Sequence, residues 1–192
     1  MIDFSIRTVA LLLMLTSFVY WQISGRMADK EKPKLKSKTL LQRIKSFIVF
    51  LWEILIGIQL LGMSILPFPN LFFIKLVGFL SIIAAFFISI SARREIGSNW
   101  THAAEYQIKK NHELVTTGIY SYIRHPIYTG FFLMIVGAEL IVGSYLFFLF
   151  FVGLIFIHLF QARKEEKILL EKFGMRYRIY MKKTKMFIPY LW

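Results

Sequence analysis

The sequence predicts an all-α integral membrane protein with about five transmembrane helices, and three observations lead to this fold class. Hydrophobic residues make up 57% of the 192 residues, and 20 residues are phenylalanine. A soluble domain of this size could not bury so much apolar side chain. The chain also contains five apolar stretches, each near the ~20 residues that a spanning helix needs. Its basic residues are concentrated in segments that a five-span topology places on one side of the membrane.

The five predicted spans alternate with segments that have the composition of loops. They are Phe4–Ile23, Phe47–Leu66, Leu71–Ile90, Pro126–Val142 and Tyr145–Ala162. The loop Gly25–Lys45 carries eight basic and two acidic residues, which places it in the cytoplasm under the positive-inside rule. The amino terminus is therefore expected outside and the carboxyl terminus inside, with all Lys and Arg residues except Arg7 and Lys75 on the cytoplasmic half. The last two spans are predicted to form a helical hairpin about Gly143 and Ser144.

Residues 1–192 are expected to form a single membrane domain in two parts. Residues 1–90 hold the first three spans, and residues 91–192 hold the last two spans and most of the unusual polar side chains. In the second part, Ser91–Lys110 is too polar to span and too aromatic to avoid the membrane. It is predicted to be an interfacial amphipathic segment with Trp100 at headgroup depth.

The carboxyl-terminal tail is amphipathic and basic. Gly174 is expected to end one helix, and Tyr177 and Tyr180 are expected to share a face of the next. Two polar residues fall inside predicted spans. Lys75 is expected to extend toward the outer interface, whereas His158 is more often hydrogen-bonded to a neighbour at such a position than catalytic.

Several classes of function are excluded or disfavoured by composition. The chain has no cysteine, which excludes disulfides, thiolate metal sites and cysteine nucleophiles. Its four histidines are widely spaced and form no HExxH motif, so no metal site is predicted. There is no phosphate-binding glycine loop. The net charge of +13 follows the positive-inside pattern of the loops, so nucleic acid is not predicted as a partner.

The stretch His112–Gly130, with the sequence HELVTTGIYSYIRHPIYTG, combines turn residues, a polar cluster and the start of an apolar helix. Proline is favoured at the first position of a helix, so the helix is predicted to begin at Pro126 with His125 as its N-cap. A helix start next to Arg124 and an imidazole is suited to a carboxylate or a phosphate. On these physical grounds alone, contact with lipid headgroups is an equally good interpretation.

The chain resembles the isoprenylcysteine carboxyl methyltransferase family, whose members are integral membrane enzymes that use S-adenosylmethionine. The resemblance covers about half the chain, from roughly Arg94 to the end. The matching motifs are Gly97-x-Asn99-Trp100, His112-x-Leu114-Val115-x-x-Gly118-x-Tyr120, Arg124-His125-Pro126-x-Tyr128-x-Gly130, Glu165-Glu166 and Phe173-Gly174-x-x-Tyr177-x-x-Tyr180. The RHPxY string also occurs in membrane sterol reductases that use NADPH. Its combination with the later EE and FGxxYxxY motifs is much more specific.

The resemblance implies a set of residues that contact S-adenosylmethionine. These are His112, Glu113, Leu114, Val115, Tyr120, His125, Pro126, Ile127, Tyr128 and Glu165. Glu105 is a weaker candidate. Without the resemblance, the residues around Glu165 would be interpreted as a solvated acidic pair offset by neighbouring cations. The predicted topology places His125 and Glu165 at the cytoplasmic ends of the last two spans, so the active site is expected to face the cytoplasm. The apolar helices around it are expected to admit the acceptor from the bilayer.

Three residues are predicted to act on the acceptor. Arg124 precedes the helix cap and is assigned to the acceptor, and Glu166 is a candidate acid or base. The family commonly has an arginine four residues before the first glutamate of the pair, but this sequence has Gln161 there. An amide can donate a hydrogen bond to a carboxylate but cannot neutralise it. The identity of the acceptor is therefore left open.

The chemistry of the acceptor separates the remaining alternatives. A carboxylate, with a reference pKa near ~4, is already ionised at neutral pH and attacks a methyl donor without a base. A phospholipid amine would need a base, for which Glu165, Glu166 and His158 are candidates. An NADPH-dependent membrane reductase and a membrane module without enzymatic activity are more distant alternatives. The isoprenylated cysteine carboxylate is the favoured acceptor.

Overall fold

The computed structural model describes residues 2–29, 40–63, 65–69, 71–100 and 112–191. Six α-helices follow one another in the order α1 Ile2–Asp29, α2 Leu40–Leu60, α3 Phe72–Ile96, α4 Pro126–Val142, α5 Leu146–Phe173 and α6 Met175–Lys183. Short 3₁₀ turns span Gly97–Asn99 and Gly118–Ser121. In these residues, β pairing is limited to two isolated bridges. The all-α class is therefore confirmed.

Helices α1 to α5 correspond one to one to the five predicted spans. Three of them are long and apolar enough to cross a membrane, with candidate spans over Asp3–Gly25, Phe72–Asn99 and Leu146–Phe173. The other two have shorter apolar stretches, Phe50–Leu60 and Pro126–Val142. Large apolar side chains are exposed along these helices, as expected for side chains that face lipid. The protein is an integral membrane protein.

Several predicted boundaries differ from the structure. Helix α2 begins earlier than predicted, at Leu40. It also ends earlier, at Leu60, because Gly62 adopts a positive φ of 114° just after this end. Helix α3 continues past its predicted end to Ile96, where Gly97 terminates it with φ of 50°. Residues 91–96 therefore continue α3 and do not begin a new element. Residues 101–111 lie outside the described part of the chain.

The carboxyl-terminal end of α3 is fixed to α1 by a buried arginine. Arg93 is 3% exposed and donates from Nη2 to the carbonyl oxygen of Ser24 at 2.7 Å. Its guanidinium lies 4.6 Å from the ring centre of Trp100 and 5.6 Å from that of Trp21. Cation–π contacts of this kind stabilise a desolvated guanidinium. Trp100 thus contributes to helix packing where sequence predicted a headgroup contact.

Helices α3 and α4 cross at glycine. A Cβ atom at Gly78 would lie 2.6 Å from the carbonyl oxygen of Gly137, and one at Gly137 would lie 2.7 Å from that of Gly78. A side chain at Gly130 would clash with Ser89. Small residues allow transmembrane backbones to approach closely, which is how such helices gain packing energy inside a membrane.

Polar contacts join four helices at the end of the bundle opposite to Arg93. Lys75 of α3 pairs with Asp3 of α1, and Arg7 Nε donates to the same carboxylate at 3.0 Å. Gln59 of α2 donates from Nε2 to Glu139 Oε1 of α4 at 2.9 Å, with both residues almost fully buried. Lys75, which was expected to extend toward the outer interface, thus forms an ion pair with α1.

Helices α4 and α5 form the predicted hairpin. Gly143 ends α4 in the left-handed conformation with φ of 70°, and α5 begins at Leu146. Helix α5 has 28 residues, or about 42 Å at ~1.5 Å per residue, which exceeds the ~30 Å of bilayer hydrocarbon. Helix α4 has only 17 residues. The start of α4 therefore faces the last third of α5, where Glu165 and Glu166 lie.

Candidate active site

The start of α4 is held by backbone pairing with the carboxyl-terminal segment. Arg124 N–H donates to the Lys185 carbonyl at 2.8 Å, and His125 N–H donates to that of Met186 at 3.1 Å. In return, Lys185 N–H donates to the Tyr122 carbonyl at 3.2 Å. These bonds resemble a short strand ladder and fix the backbone just before Pro126. The site is thus built where the beginning of α4 meets the end of the chain.

His125 occupies the predicted N-cap position, and the helix begins at Pro126 as predicted. Its side chain does not cap the helix but contacts the two glutamates of α5. His125 Nε2 lies 3.2 Å from Glu166 Oε1, and Nδ1 lies 3.6 Å from Glu165 Oε2. Because an ionised carboxylate only accepts, Nε2 must carry the proton in the shorter contact. The ring is almost fully buried.

Arg124 and Glu166 form a buried ion pair. Arg124 Nε lies 2.6 Å from Glu166 Oε1, and the two side chains are 9% and 8% exposed. Arg124 Nη1 also donates to the carbonyl oxygen of Thr184 at 2.6 Å. Because both charges are largely removed from water, each would be strongly destabilising without the opposite charge of the other. The arginine that was assigned to the acceptor therefore has a partner inside the protein, the Glu166 carboxylate.

A stack of three aromatic rings extends from this ion pair into the membrane. The ring centres of His125 and Tyr128 are 5.4 Å apart with planes 13° apart, and Tyr128 stacks on His158 with the same distance and angle. Tyr128 also donates from its hydroxyl to Glu165 Oε2 at 3.0 Å. His158 and Glu165, seven residues apart on α5, therefore face the same side. His158 is part of the wall of the site.

Two tyrosines of α6 close the site from the carboxyl-terminal side, and both are buried on one face of the helix, as predicted. Tyr180 donates from its hydroxyl to the Tyr120 carbonyl oxygen at 2.7 Å. Burial raises the pKa of Tyr120, Tyr177 and Tyr180, and the negative charge of Glu166 raises that of Tyr177 further. All three phenols therefore keep their protons at neutral pH and are able to donate hydrogen bonds.

The extended segment that precedes the 3₁₀ turn is fixed at both ends by α3 and the residues just after it. Glu113 N–H donates to Asn99 Oδ1 at 2.9 Å, and the Thr117 hydroxyl donates to the Glu95 carboxylate. Gly118 has φ of 54°, and a Cβ atom there would lie 2.8 Å from the Glu95 carboxyl group. Sequence reasoning gave no role to Glu95. For the other contact, the only signal in the sequence was that Asn99 belongs to a motif shared with the family.

The structure brings five of the predicted site residues into one cluster. They are Arg124, His125, Tyr128, Glu165 and Glu166. Tyr120 is buried and accepts from Tyr180 through its carbonyl oxygen, and Pro126 is buried at the start of α4.

The other predicted site residues lie around the cluster. His112 lies 6.0 Å from Phe173 at the end of α5, measured between ring centres. Leu114, Val115 and Ile127 are half-buried, and Glu113 is exposed. Gln161 is half-buried one turn before Glu165, and Glu105 lies outside the described residues. In the part of the chain that the structure describes, no three His, Asp or Glu side chains are grouped to hold a metal ion.

Comparison with known proteins identifies a matching family and a solved structure of the same fold. The Phospholipid methyltransferase family matches residues 73–176, which are slightly more than half the chain. A solved structure of the eukaryotic intramembrane Ras methyltransferase, an isoprenylcysteine carboxyl methyltransferase, has the same fold. It superposes with a TM-score of 0.67 over 98% of this chain and 68% of that chain, at 18% identity.

Three curated relatives carry similar names. Protein-S-isoprenylcysteine O-methyltransferase of Schizosaccharomyces pombe is 36% identical over 54% of this chain and 44% of its own length. The Saccharomyces cerevisiae protein of the same name is 31% identical over 60% of this chain and 48% of its own. A protein of Oryza sativa subsp. indica, named "Probable protein-S-isoprenylcysteine O-methyltransferase", is 30% identical over 66% of this chain and 68% of its own.

The helical membrane fold, with its buried charged site at the ends of two hairpin helices, thus has the architecture of an intramembrane methyltransferase. The chain belongs to the isoprenylcysteine carboxyl methyltransferase family. It spans about half the length of the two yeast relatives.

Proposed function

We propose that this protein transfers a methyl group from S-adenosylmethionine to the carboxylate of an isoprenylated cysteine, in a site that faces the cytoplasm. The observation that carries the proposal is the buried cluster of Arg124, His125, Tyr128, Glu165 and Glu166. It is built from the motifs that the family shares, and it lies at the end of the hairpin that carries the basic carboxyl-terminal segment. The positive-inside rule places this end in the cytoplasm.

The side chains present fit the chemical groups of S-adenosylmethionine. The cofactor has a carboxylate, an ammonium group, ribose hydroxyls and a purine ring. Glu165 has a side chain that is 40% exposed and can accept hydrogen bonds from the ammonium group or the ribose. Leu114 and Val115 offer half-buried apolar contacts for the purine.

When it is bound, the cofactor supplies an electrophilic methyl group on a sulfonium. The residues of this chain need only align the acceptor and exclude water, because an ionised carboxylate is already nucleophilic. The ring stack of His125, Tyr128 and His158 forms a rigid wall against which two ligands can be held. The ion pair of Arg124 and Glu166 fixes His125 in one tautomer and orientation.

The state of the candidate bases favours a carboxylate over an amine as the acceptor. Glu166 is bound by Arg124 and His125, and His158 is buried in the ring stack. Only Glu165 is exposed enough to receive a proton from an ammonium headgroup. The pairing of Arg124 also makes it a poor partner for the phosphates of NADPH, because a ligand would have to displace Glu166.

The proposal predicts binding and turnover by detergent-purified protein. Calorimetry should detect S-adenosylmethionine and its demethylated product, and isotopically labelled cofactor should transfer label to acetyl-farnesylcysteine. Mass spectrometry of membrane lipids incubated in parallel is the control for the alternative acceptor. Cofactor binding with label only in amine-headed lipids would replace the assignment by a phospholipid N-methyltransferase. Binding of NADPH alone would indicate a reductase.

Gln161→Arg is predicted to increase methyl transfer to acetyl-farnesylcysteine. Gln161 lies on α5 one turn before Glu165, toward the membrane, where the headgroup of a lipid-borne acceptor would arrive. A guanidinium would add a charge-assisted hydrogen bond to the acceptor carboxylate, for an expected gain of about tenfold in kcat/KM. Gln161→Met, which keeps the length without a donor, should lower kcat/KM. Equal rates for all three proteins would contradict a role for this position in acceptor binding.

A further inference from the structure

Helix α6 carries two buried tyrosines whose hydroxyl groups are in different situations. Tyr180 is 7% exposed and donates its hydroxyl to the Tyr120 carbonyl oxygen. Tyr177, one turn earlier on the same face, is 1% exposed. Its hydroxyl has no hydrogen-bond partner among the residues that the structure describes. The two residues are therefore of the same type, lie on the same helix and are both buried. They differ in whether the hydroxyl group has a hydrogen-bond acceptor.

A buried donor without an acceptor is unfavourable. Leaving such a group unpaired costs about 1–3 kcal/mol, whereas phenylalanine would fill almost the same volume at no such cost. Buried polar groups in folded proteins are nearly always paired with protein, water or a ligand. The Tyr177 hydroxyl thus requires a partner that the described residues do not supply.

The charges around Tyr177 belong to the candidate active site. After burial, the strongest influence on its pKa is the carboxylate of Glu166, which raises it, opposed by the guanidinium of Arg124. Glu165 acts on it as well. Arg124 also donates from Nη1 to the carbonyl oxygen of Met181, one turn after Tyr177 on α6, at 3.4 Å. The phenol keeps its proton, and a hydrogen bond that it donates to a negatively charged oxygen is stronger than one to a neutral acceptor.

We propose that the Tyr177 hydroxyl is a ligand-binding group that donates a hydrogen bond to a carboxylate oxygen of a bound substrate. This inference rests on the proposed function and adds a residue to which the resemblance gave no role. Two ligands of the reaction carry a carboxylate, namely the methionine part of the cofactor and the cysteine of the acceptor. The chemistry that Tyr177 recognises is the same in both.

Tyr177→Phe is the test, with Tyr180→Phe as the matched control. The first variant removes an unpaired hydroxyl, so the melting temperature of the ligand-free protein should be unchanged or higher. The second leaves the Tyr120 carbonyl without its donor, so the melting temperature should fall. Calorimetry with S-adenosylhomocysteine, and kinetics with acetyl-farnesylcysteine, then measure the effect of each variant on ligand binding.

Tyr177→Phe should weaken one ligand about tenfold, as expected for a hydrogen bond to a charged group. If the cofactor is the partner, the affinity for S-adenosylhomocysteine falls, while that for its decarboxylated analogue is unchanged. If the acceptor is the partner, its KM rises and cofactor affinity is unchanged. An effect on neither ligand, or a lower melting temperature of Tyr177→Phe, would overturn the inference and leave the proposed function standing. Failure of the wild type to bind either ligand would overturn both.

Discussion

Glu166→Ala is expected to abolish methyl transfer and to lower the free energy of unfolding by about 3–5 kcal/mol. The Glu166 carboxylate is the ion-pair partner of Arg124 at 2.6 Å and also contacts His125 at 3.2 Å. Its removal leaves a guanidinium that is only 9% exposed without an opposite charge. The cost of an unpaired buried charge exceeds what the pair itself contributes, because desolvation is no longer offset.

The neighbouring glutamate provides the control for this prediction. Glu165 has a side chain that is 40% exposed, accepts from the Tyr128 hydroxyl and lies 3.6 Å from His125. Glu165→Ala should therefore weaken cofactor binding with a change in stability below about 1 kcal/mol. Thermal unfolding in detergent, followed with and without S-adenosylhomocysteine, separates the two effects. A Glu166→Ala protein that melts with the wild type would show that the ion pair is not buried in solution.

Local signals in the sequence were sufficient for the elements that position the site. The beginning of α4 at Pro126 and the ends of α4 and α5 at Gly143 and Gly174 follow from the backbone preferences of proline and glycine. The extension of α3 to Ile96 could not be predicted in the same way. Its last turn is charged, and only burial of Arg93 between two tryptophans makes that turn part of the bundle.

The pairings within the site depend on contacts between distant parts of the chain. Arg124 and Glu166 are 42 residues apart, and Thr117 and Glu95 are 22 residues apart. Sequence motifs indicated that most of these residues belong together, but they did not indicate which residues pair. The assignment of Arg124 to the acceptor illustrates the difference. Its position before the helix cap was correct, whereas its partner could be identified only after α5 was placed beside α4.

The crossing of α3 and α4 explains how a short helix can hold the site in place. Gly78 and Gly137 bring the two backbones into contact in the carboxyl-terminal half of α4, and Gly130 approaches Ser89 closer to the site. His125 lies immediately before this helix. The orientation of its imidazole toward the glutamates therefore depends on the angle at which α4 packs against α3.

Gly137→Leu is expected to prevent this packing and to destabilise the protein by about 3 kcal/mol or more. The Cβ atom would lie 2.7 Å from the carbonyl oxygen of Gly78, and a backbone oxygen cannot rotate away as a side chain can. Replacing a helical glycine would by itself stabilise the helix by up to about 1 kcal/mol. The clash with α3 therefore outweighs the gain in helix propensity, and the net effect on the stability of the protein is unfavourable.

Gly153→Leu on α5 is the matched control, because a Cβ atom there has no neighbour within 4 Å. This variant should be as stable as the wild type or slightly more stable, since only the helix propensity changes. Both variants can be compared by the yield of monodisperse protein in detergent, the melting temperature and the affinity for S-adenosylhomocysteine. Gly137→Leu should lose all three, because a displaced α4 carries His125 away from Glu165 and Glu166. A Gly137→Leu protein that folds and binds like Gly153→Leu would show that α3 and α4 do not cross at these glycines.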